Sequence, residues 1–520
     1  MILLISNYSS LIFNIYRTLN KFNYSILIMQ DPNPLEIKNK NISHIIIAFS
    51  EKKPSNNLIE IIKEFSPSIP ILGISLGFGA ILNAFESTCT GNIICKKKSI
   101  QHNGCGIFRH VNQNFNAMIY SQIEASLIPP CFEITAWNGD EVMAIEHKYY
   151  QVIGLQFNPE SNASENGEKI FLNFLHYQRQ NIPIQEYLKE VLNGGNLTFK
   201  QSYDVMDEIT YGNMHDAQIG SFLTSLEIKG VKPSELAGFA SALKNKAIPF
   251  DANYTSSKRM DIVGTGGSNR KTFNVSTTVA FLLNAAGANI IKHGNGAITS
   301  KSGGADLLTH LGININMDIS TCINIYHELG ITFIYAPKFH AALAFASSAR
   351  KALGFKTAFN LIGPLSNPAK ITHQLIGVFN KNYTEIIANT LKILGINRAM
   401  VVSGFDGYDE ISLSAPTQIT ELINGEIKTY IFTPLEVGLD YVPHSTLVGG
   451  NAIDNAKITM DIFNGLPSNK ANLVCINAAA AMYLYGLSES IKEGFFLIKK
   501  VIEGKKVFEI LDRFKHLSNS

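Results

Sequence analysis

The sequence lacks the features of secreted, membrane-spanning and zinc-binding proteins. Its six cysteines are scattered along the chain: Cys89, Cys95, Cys105, Cys131, Cys322 and Cys475. The absence of CxxC spacing argues against a zinc site and favours reduced thiols in a cytoplasm. No apolar run approaches the roughly 20 residues of a bilayer span, and the amino terminus MILLISNYSS has no basic stretch typical of a signal peptide. We therefore expect a soluble cytoplasmic protein with no membrane partner.

An excess of charge of one sign is also missing. Lys and Arg number 44 and Asp and Glu 42, which gives a formal net charge of +2, and 17% of the residues are charged. Nucleic-acid-binding proteins carry a strongly basic face, so we expect no nucleic-acid partner. A chain of 520 residues, 46% of them hydrophobic, is typical of a globular protein of about three to four units and at least two domains.

Short apolar runs alternate with amphipathic segments in residues 1–180, the pattern of an α/β fold. Strands of a mostly parallel open sheet are predicted at Ile2–Ile5, Tyr24–Met29, Ile45–Ala48, Ile71–Ile74, Phe132–Ala136 and Glu141–Glu146. The stretch ILGISLGFGAILNAF, which begins at Ile71, predicts a strand, a sharp glycine-flanked turn and a helix. Such an elbow lifts one side chain, here that of Ser75, into an exposed position.

Residues 181–255 have a different pattern, which predicts helices alone. Ile182-Pro183-Ile184 indicates a short linker, and apolar i, i+3, i+4 stripes follow it. Thr198 and Gln201 have the spacing of a capping box. Beyond residue 256 the alternation of strands and helices returns, which predicts a second α/β region.

Three ligand-binding signals lie between Asp261 and Asp306. The turn Gly264-Thr265-Gly266-Gly267 follows an apolar strand and brings backbone N–H groups close to a phosphate or diphosphate. Asn274-Val275-Ser276-Thr277 opens a helix, whose N-terminus attracts anions. Lys292-His293-Gly294-Asn295 ends another strand, where ligands of open sheets gather. Each signal alone is common in plain turns, caps and structural histidines, but together they predict a phosphate-handling site.

Two further features point to a ligand, although the residues alone leave both open. Arg350 ends a predicted helix that starts at Lys338 and is otherwise rich in small apolar residues, but a lone arginine commonly forms a surface salt bridge. Asp409 and Glu410 follow a predicted strand. Adjacent carboxylates repel each other unless a cation lies between them, and Mg²⁺ prefers such oxygen ligands, but acidic pairs are also common on surfaces.

The motifs GTGG, NVST and KHGN, in this order, closely resemble those of anthranilate phosphoribosyltransferase, and so does the stretch from Phe339 to Ala369. The resemblance implies a helical subdomain at residues 181–255 and an α/β domain of nucleoside phosphorylase-like type at 256–520, with some helices completing the subdomain. It also implies a homodimer formed through the helical subdomain. The implied reaction transfers the phosphoribosyl group of 5-phosphoribosyl 1-diphosphate to the amine of anthranilate, in tryptophan biosynthesis.

The same resemblance assigns roles to single residues. Phosphoribosyl diphosphate would contact Gly264, Thr265, Gly266, Gly267, Ser268, Thr272, Asn274, Val275, Ser276, Thr277, Lys292, Ser300 and Gly304. Anthranilate would contact Gly264, His293, Asn295, His340, Arg350 and Pro364, and Mg²⁺ would be held by Ser276, Asp409 and Glu410. No residue would react covalently, and Lys292, Asn295 and Arg350 would position the substrates.

Residues 1–180 are similar to the class I glutamine amidotransferase domain that forms the small component of anthranilate synthase. The positions of that family's cysteine, histidine and glutamate are Ser75, Asn158 and Glu160 here. Asn158 cannot accept a proton, and a serine without a general base is a poor nucleophile. The loop that would form the oxyanion hole, residues 49–54, also lacks the glycines usual in that family. We therefore predict no glutaminase activity, while docking onto a large anthranilate synthase component stays open.

The chain departs from the transferase family at three positions, which hold Ser268 for an aspartate, Gly296 for an arginine and Gly304 for a serine. We predict the same reaction with weaker binding of diphosphate and metal. Three other interpretations remain open at this point: a nucleoside phosphorylase, a non-catalytic nucleic-acid-binding relative, and a bifunctional protein that still supplies ammonia to anthranilate synthase.

Overall fold

Two compact units, Met1–Ile182 and Pro183–Ser520, make up the chain. The computed structural model describes residues 1–6, 11–38, 40–48, 54–125, 128–177, 182–252, 254, 258–266, 272–296 and 302–520. Within these ranges, every helix is too short or too polar to cross a bilayer.

The first unit is built around a sheet whose described strands number nine, in the order β2-β1-β3-β4-β9-β8-β7-β5-β6. Its strands are β1 (Ile2–Ile5), β2 (Ile26–Met29), β3 (His44–Ile47), β4 (Ile71–Ile74), β5 (Cys89–His102), β6 (Phe115–Ala125), β7 (Phe132–Asn138), β8 (Glu141–His147) and β9 (Val152–Leu155). Its helices are α1 (Leu11–Asn20), α2 (Pro34–Lys38), α3 (Asn56–Phe65), α4 (Leu76–Ala84) and α5 (Gly167–Leu175).

The predicted parallel sheet is present only in one half of this unit. Strands β2, β1, β3, β4 and β9 are parallel, whereas β9, β8, β7, β5 and β6 pair antiparallel. A short connection explains the change, because β7 and β8 are joined by a two-residue turn at Gly139, whose φ is +58°. Such a turn can only join antiparallel strands.

The parallel strands are apolar on both faces because each face packs against its own core. In β1, Ile2 and Leu4 belong to one hydrophobic cluster, and Leu3 and Ile5 belong to the other. Side chains alternate along a strand, so a continuous apolar run suits a sheet covered on both sides. The predicted α/β class is confirmed.

The second unit begins with four helices and continues as an α/β region. The helices are α6 (Ile184–Leu192), α7 (Phe199–Thr210), α8 (Asp216–Lys229), α9 (Pro233–Lys246), α10 (Val275–Ala285), α11 (Gly304–His310), α12 (Ile319–Leu329), α13 (Ala336–Phe339), α14 (Ser347–Leu353), α15 (Ala358–Leu365), α16 (Thr384–Ile393), α17 (Ala452–Phe463), α18 (Asn469–Tyr485), α19 (Ile491–Glu503) and α20 (Lys506–Asn519). The predicted capping box of Thr198 and Gln201 is present at the start of α7.

The sheet of this unit determines where the candidate site lies. Its strands are β10 (Met260–Gly264), β11 (Ile290–Gly294), β12 (Ile331–Tyr335), β13 (His373–Gly377), β14 (Arg398–Gly404), β15 (Thr417–Ile423) and β16 (Glu426–Phe432), in the order β12-β11-β10-β13-β14-β15-β16. The first five are parallel, so their carboxyl ends share one edge. The loops after β10 and β14 and the end of β11 therefore meet there.

The predicted continuous helix from Lys338 to Arg350 is wrong. The chain instead forms α13, a 3₁₀ helix at Ala341–Ala346, and α14. The break falls at His340, whose φ of −122° and ψ of 51° leave the helical region. His340 is buried, and its ring centre lies 5.0 Å from that of His293. A tertiary contact thus overrides the local helical pattern.

Candidate active site

One cavity of about 380 Å³ lies at the carboxyl edge of the second sheet. It collects most of the positions that the sequence predicts as substrate contacts. The described residues that line it are Val263, Gly264, Thr265, Gly266, Thr272, Phe273, Asn274, Val275, Ser276, Thr277, Lys292, His293, Gly294, Asn295, Gly296, Ser302, Gly303, Gly304, Arg350, Asn360, Asp409, Glu410, Val448, Gly449, Gly450 and Asn455.

Five of the predicted site residues are not among these lining residues. Gly267, Ser268 and Ser300 lie outside the described residues. His340 lies behind the wall, against the ring of His293. Pro364 is buried in α15, where its carbonyl oxygen accepts a 2.7 Å hydrogen bond from Gln374 Nε2. These last two positions therefore support the wall and do not form it.

The glycine turn begins where β10 ends. The backbone N–H of Thr265 donates to the carbonyl oxygen of Gly377, 2.8 Å away, and Gly266 has a φ of +64°. A left-handed φ favours glycine, which has no Cβ to clash with the backbone. The described part of the turn therefore lines the cavity with two glycines, Gly264 and Gly266, that carry no Cβ.

Helix α10 points its N-terminus at the same cavity. Val275, Ser276 and Thr277 form its first turn and line the wall. The side chain of Asn274, in the N-cap position, makes no capping hydrogen bond; its amide instead bonds Ser302 and Asn455. The first backbone N–H groups of a helix lack intrahelical partners and carry a partial positive charge, so they suit an anion.

Lys292 is a buried cation at the end of β11, with 5% of its surface exposed. Its ammonium group donates to the carbonyl oxygen of Ile262 and, over 3.2 Å, to Ser276 Oγ. Burial lowers the pKa of Lys292 to about 8, although the nearby carboxylate of Asp261 acts in the opposite direction. The side chain is thus positively charged at neutral pH, beside the helix N-terminus.

Asp261 lies behind Lys292 and is fully buried. Its two oxygens accept hydrogen bonds from the backbone N–H of His293, at 3.2 Å, and from Asn367 Nδ2, at 2.9 Å. Burial raises its pKa to about 6, and the charge of Lys292 opposes that shift. Asp261 therefore supplies a carboxylate that stabilises Lys292 as a cation.

The acidic pair of Asp409 and Glu410 also lines the cavity. Glu410 Oε1 accepts a 2.9 Å hydrogen bond from Thr272 Oγ1, whereas Glu410 Oε2 is buried with no hydrogen-bond partner among the described residues. Burial raises the pKa of both carboxyl groups, and the charge of Asp409 raises that of Glu410 further, well above its usual range. Two buried carboxylates with a spare oxygen suit a hard cation such as Mg²⁺.

A cluster of three or more acidic, histidine or cysteine side chains that could hold a metal is absent from the described ranges. The acidic pair with the hydroxyl of Ser276 is a smaller set. Mg²⁺ is commonly held by one or two carboxylates together with substrate phosphates, and not by a complete protein cage. The residues present therefore fit Mg²⁺ that arrives with a phosphorylated substrate.

Arg350 completes the cavity from α14. The centre of its guanidinium lies 5.1 Å from the ring centre of Phe359, and burial lowers its pKa. An arginine remains charged at any physiological pH, and its planar group can bind a carboxylate through two parallel hydrogen bonds. No salt bridge of Arg350 is seen with the described carboxylates, so the surface-pair interpretation lacks support.

Part of the wall was not predicted from the sequence. Gly449 and Gly450 line the cavity with Asn455, at the start of α17. A Cβ on Gly449 would lie 2.7 Å from the carbonyl oxygen of Thr272, so this turn packs directly on the main chain that leads to Asn274. The glycine pair followed by an asparagine was the available signal, and it lies far along the chain from the other motifs.

The first unit contains the three positions, Ser75, Asn158 and Glu160, at which the sequence predicts a degenerate glutaminase site. Ser75 lies between β4 and α4 with a φ of +56° and a ψ of −112°, which is the backbone of an elbow. Its side chain is not exposed as predicted, because Ser75 Oγ lies 2.5 Å from Ser121 Oγ and only 5% of the residue is accessible. The hydroxyl that the resemblance places at the nucleophile position is therefore buried and engaged with a second hydroxyl.

Asn158 and Glu160, the other two of these positions, are hydrogen-bonded to each other. Asn158 Nδ2 donates to Glu160 Oε1 over 2.8 Å, and Asn158 Oδ1 accepts from the backbone N–H of Tyr120 over 3.2 Å. Burial raises the pKa of Glu160 to about 7. Neither group is a base positioned to take a proton from Ser75 in the described geometry.

Comparison with known proteins supports both halves. Residues 3–177 match the family model described as glutamine amidotransferase class-I, residues 185–247 match the glycosyl transferase family helical bundle domain, and residues 256–506 match the glycosyl transferase family a/b domain. An anthranilate phosphoribosyltransferase of Acetivibrio thermocellus is 42% identical over 340 residues, which cover 65% of this chain and 97% of that protein. The chain belongs to the anthranilate phosphoribosyltransferase family.

The transferase is fused to a class I glutamine amidotransferase domain. The protein of Thermotoga maritima named bifunctional protein TrpGD is 34% identical over 551 residues, which cover 100% of this chain and 92% of that protein. Membership of this family makes the chain an enzyme of the pentosyltransferase class.

Solved anthranilate phosphoribosyltransferases share the fold of the second unit. The enzyme of Thermus thermophilus superposes with a TM-score of 0.61 at 33% identity and covers 64% of this chain and 99% of its own. The enzyme of Saccharomyces cerevisiae in complex with PRPP and Mg superposes with a TM-score of 0.60 at 26% identity. This match covers 65% of this chain and 98% of the yeast chain. The transferase fold therefore accounts for nearly the full length of both relatives.

Proposed function

We propose that the second unit transfers the phosphoribosyl group of 5-phosphoribosyl 1-diphosphate to the amine of anthranilate, which yields N-(5-phosphoribosyl)anthranilate and diphosphate in tryptophan biosynthesis. One observation carries this proposal: a single cavity is lined by Gly266, Lys292, Arg350 and Glu410. These residues supply, in one space, a bare main chain and a cation for phosphates, a carboxylate for a metal, and a guanidinium for an organic acid.

The phosphates of the first substrate bind between the glycine turn and the start of α10. Gly264 and Gly266 present main chain that no Cβ covers, and Ser276 and Thr277 add hydroxyls at the helix N-terminus. The ammonium group of Lys292 neutralises part of the negative charge of the phosphates. Fixed donors that surround the departing diphosphate stabilise its growing charge, which is the main requirement of this displacement.

Asp409, Glu410 and Ser276 hold Mg²⁺. The support is the buried, unpartnered Oε2 of Glu410 among the described residues and the adjacent carboxylate of Asp409. When bound, Mg²⁺ neutralises the diphosphate and makes it a better leaving group. Thr272 orients Glu410 through its hydroxyl, so the side chain presents its second oxygen.

Anthranilate binds on the Arg350 side of the cavity. The guanidinium of Arg350 pairs with its carboxylate, while His293 and Asn295 line its path and His340 and Pro364 support the wall behind. Burial keeps the pKa of His293 well below its usual value, and the charge of His340 contributes in the same direction. A neutral imidazole suits a site for an aromatic amine, which needs no strong base because it is uncharged at pH 7.

The reaction is tested by the fluorescence of anthranilate on mixing it with the purified full chain, phosphoribosyl diphosphate and Mg²⁺. The expected result is loss of anthranilate fluorescence with release of one diphosphate per anthranilate consumed. Exchange of anthranilate for thymidine and phosphate tests the phosphorylase alternative, and turnover only in that second mixture would refute the proposal.

The organisation of the chain follows from this assignment. We place the glutamine amidotransferase-like domain at residues 1–180, the helical subdomain at 181–255 and the catalytic domain at 256–520. The compact units found at Met1–Ile182 and Pro183–Ser520 support the first boundary. A homodimer through the helical subdomain and a cytoplasmic location complete the proposal, and sedimentation of the full chain tests the former.

The first domain is catalytically silent toward glutamine. Support comes from Ser75, whose hydroxyl is engaged by Ser121, and from Asn158, which bonds Glu160. The Thermotoga maritima relative is named bifunctional, so retained ammonia supply is the competing function. An assay of glutamate release from glutamine, with and without a large anthranilate synthase component, distinguishes a silent domain from one that supplies ammonia. Glutamate release above the rate without protein would favour the bifunctional alternative. Binding of that component is a separate possibility, which co-sedimentation tests.

A further inference from the structure

A chain of directed hydrogen bonds runs from α17 to the start of α10. The backbone N–H of Gly450 donates to Asn455 Oδ1 over 2.9 Å, and Asn455 Nδ2 donates to Asn274 Oδ1 over 3.1 Å. Ser302 Oγ donates to the same oxygen of Asn274 over 3.0 Å, while Asn274 Nδ2 donates to the carbonyl oxygen of Ser302 over 3.3 Å. All four residues line the cavity.

The backbone N–H of Gly450 sets the donor and acceptor at each step of this series of hydrogen bonds. An N–H group can only donate, so the atom of Asn455 that meets Gly450 is its amide oxygen. The amide nitrogen of Asn455 must then face Asn274, whose Oδ1 accepts its hydrogen bond. If Asn274 turned its amide over, its Nδ2 would face Asn455 Nδ2, and this donor of Asn455 would lose its acceptor.

We infer that Asn455 is a positioning residue for the phosphoribosyl diphosphate site. It fixes Asn274 with its amide nitrogen available to a phosphate oxygen, and it does so through the backbone of the Gly449-Gly450 turn. Of the two N–H groups on Asn274 Nδ2, one is directed at Ser302, and the other has no partner among the described residues and is left for the ligand. The inference rests on the proposed function. It explains how the phosphoribosyl diphosphate site directs the amide nitrogen of Asn274, and not its oxygen, toward the phosphate.

The burial of Asn455 supports a directed role. Only 2% of its surface is exposed, and a buried amide is costly unless its hydrogen bonds are made. The turn it holds is packed on the main chain of Thr272 and Phe273, since a Cβ on Gly449 would lie within 2.8 Å of both residues. The segment before α17 thus touches the wall from which Asn274 projects.

The substitution Asn455→Asp separates the two functions of the side chain. An aspartate still accepts from Gly450, but it offers Asn274 an oxygen in place of a nitrogen. Asn274 must then turn its amide over and point its oxygen at the phosphates. Isothermal titration of the full chain with phosphoribosyl diphosphate at millimolar Mg²⁺ should show a Kd raised by about tenfold, in the range of a lost hydrogen bond to a charged group. The KM for anthranilate should stay within about twofold of its original value.

A double substitution distinguishes this mechanism from simple charge repulsion. In an Asn274→Ala background there is no amide to turn over, so adding Asn455→Asp should change the Kd by less than about twofold. An equal tenfold loss in that background would show that the new carboxylate repels the substrate directly, and would overturn the inference. Asn464→Asp adds the same charge at the exposed end of α17 and serves as the control.

Two further readouts keep the test decisive. Ser302→Ala removes one donor to Asn274 without adding charge, and it should raise the Kd about threefold; an unchanged Kd for this variant and for Asn455→Asp would overturn the inference while leaving the proposed function intact. If the unaltered chain neither binds phosphoribosyl diphosphate nor consumes anthranilate, the proposed function fails, and this inference fails with it.

Discussion

Asp409 rests directly against Gly264, because a Cβ added to Gly264 would lie 2.8 Å from Asp409 Oδ2. A second glycine, Gly377, is paired with Gly264 across β10 and β13, and a Cβ there would lie 1.6 Å from the carbonyl oxygen of Asp409. The acidic pair can occupy this place only because both strands end in glycine. The phosphate turn and the acidic pair are therefore parts of one packed unit.

Gly264→Ala should displace Asp409 and weaken the use of Mg²⁺. The added methyl group overlaps the carboxylate, so we expect kcat/KM to fall about tenfold or more at limiting Mg²⁺, with partial recovery at high Mg²⁺. Steady-state rates measured over a range of Mg²⁺ concentrations check this. Gly220→Ala, whose new Cβ would meet nothing within 4 Å, is the matched control. Equal rates for both variants at every Mg²⁺ concentration would contradict the packing argument.

Arg350→Lys should raise the KM for anthranilate more than the KM for phosphoribosyl diphosphate. Lysine keeps the charge but loses the planar pair of donors, so a loss of about tenfold on the anthranilate side is expected. Separate saturation curves for the two substrates measure it. Lys351→Ala alters the neighbouring exposed residue on the same helix and should leave both KM values unchanged. A larger effect on phosphoribosyl diphosphate would place the guanidinium at the wrong substrate.

Ser75 carries backbone strain without a catalytic use in our proposal. Its φ of +56° and ψ of −112° are readily adopted only by glycine. Both Ser75→Gly and Ser75→Ala lose the contact with Ser121, but only glycine relieves the strain. We expect Ser75→Gly to be the more stable of the two by about 1 kcal/mol. The single tryptophan, Trp137, lies in the first unit, so its fluorescence during urea unfolding reports this difference.

Glu160 should make the stability of the first unit depend on pH. Burial raises its folded pKa to about 7, above its usual 4.5, so the folded state binds the proton more tightly than the unfolded state. The stabilisation is present in full below about pH 4.5 and is lost as pH rises through 7. Its size is on the order of 1 to 3 kcal/mol.

Urea unfolding followed by Trp137 fluorescence at several pH values checks this prediction. The midpoint should fall between pH 5 and pH 8 in the unaltered chain. Glu160→Gln carries no titrating proton, so its midpoint should vary less over the same interval. Parallel curves for the two proteins would assign the pH dependence to other groups.

The sequence predicted the parts of the site that lie close together along the chain. The turn at Gly264, the helix start at Asn274 and the end of β11 at Lys292 fall within one strand-turn-helix-strand segment, where local glycine and hydroxyl patterns are informative. Asn455 was not predicted, because it reaches the cavity through packing of α17 against α11 and of the Gly449 turn against Thr272 and Phe273. No local pattern encodes such a long-range contact.

Two expectations failed for one reason. The break at His340 results from its burial beside His293. The predicted exposure of Ser75 was wrong because Ser121, from β6, covers it. In each case a contact between segments distant in the chain prevails over a correctly interpreted local pattern.

Isothermal titration of the full chain with phosphoribosyl diphosphate, with and without millimolar Mg²⁺, tests the central claim most directly. We predict binding that requires Mg²⁺ and that is abolished or weakened at least about tenfold in Asp409→Asn. Absence of binding at millimolar Mg²⁺, or equal binding by the Asp409→Asn variant, would contradict the assignment of this cavity to the diphosphate substrate.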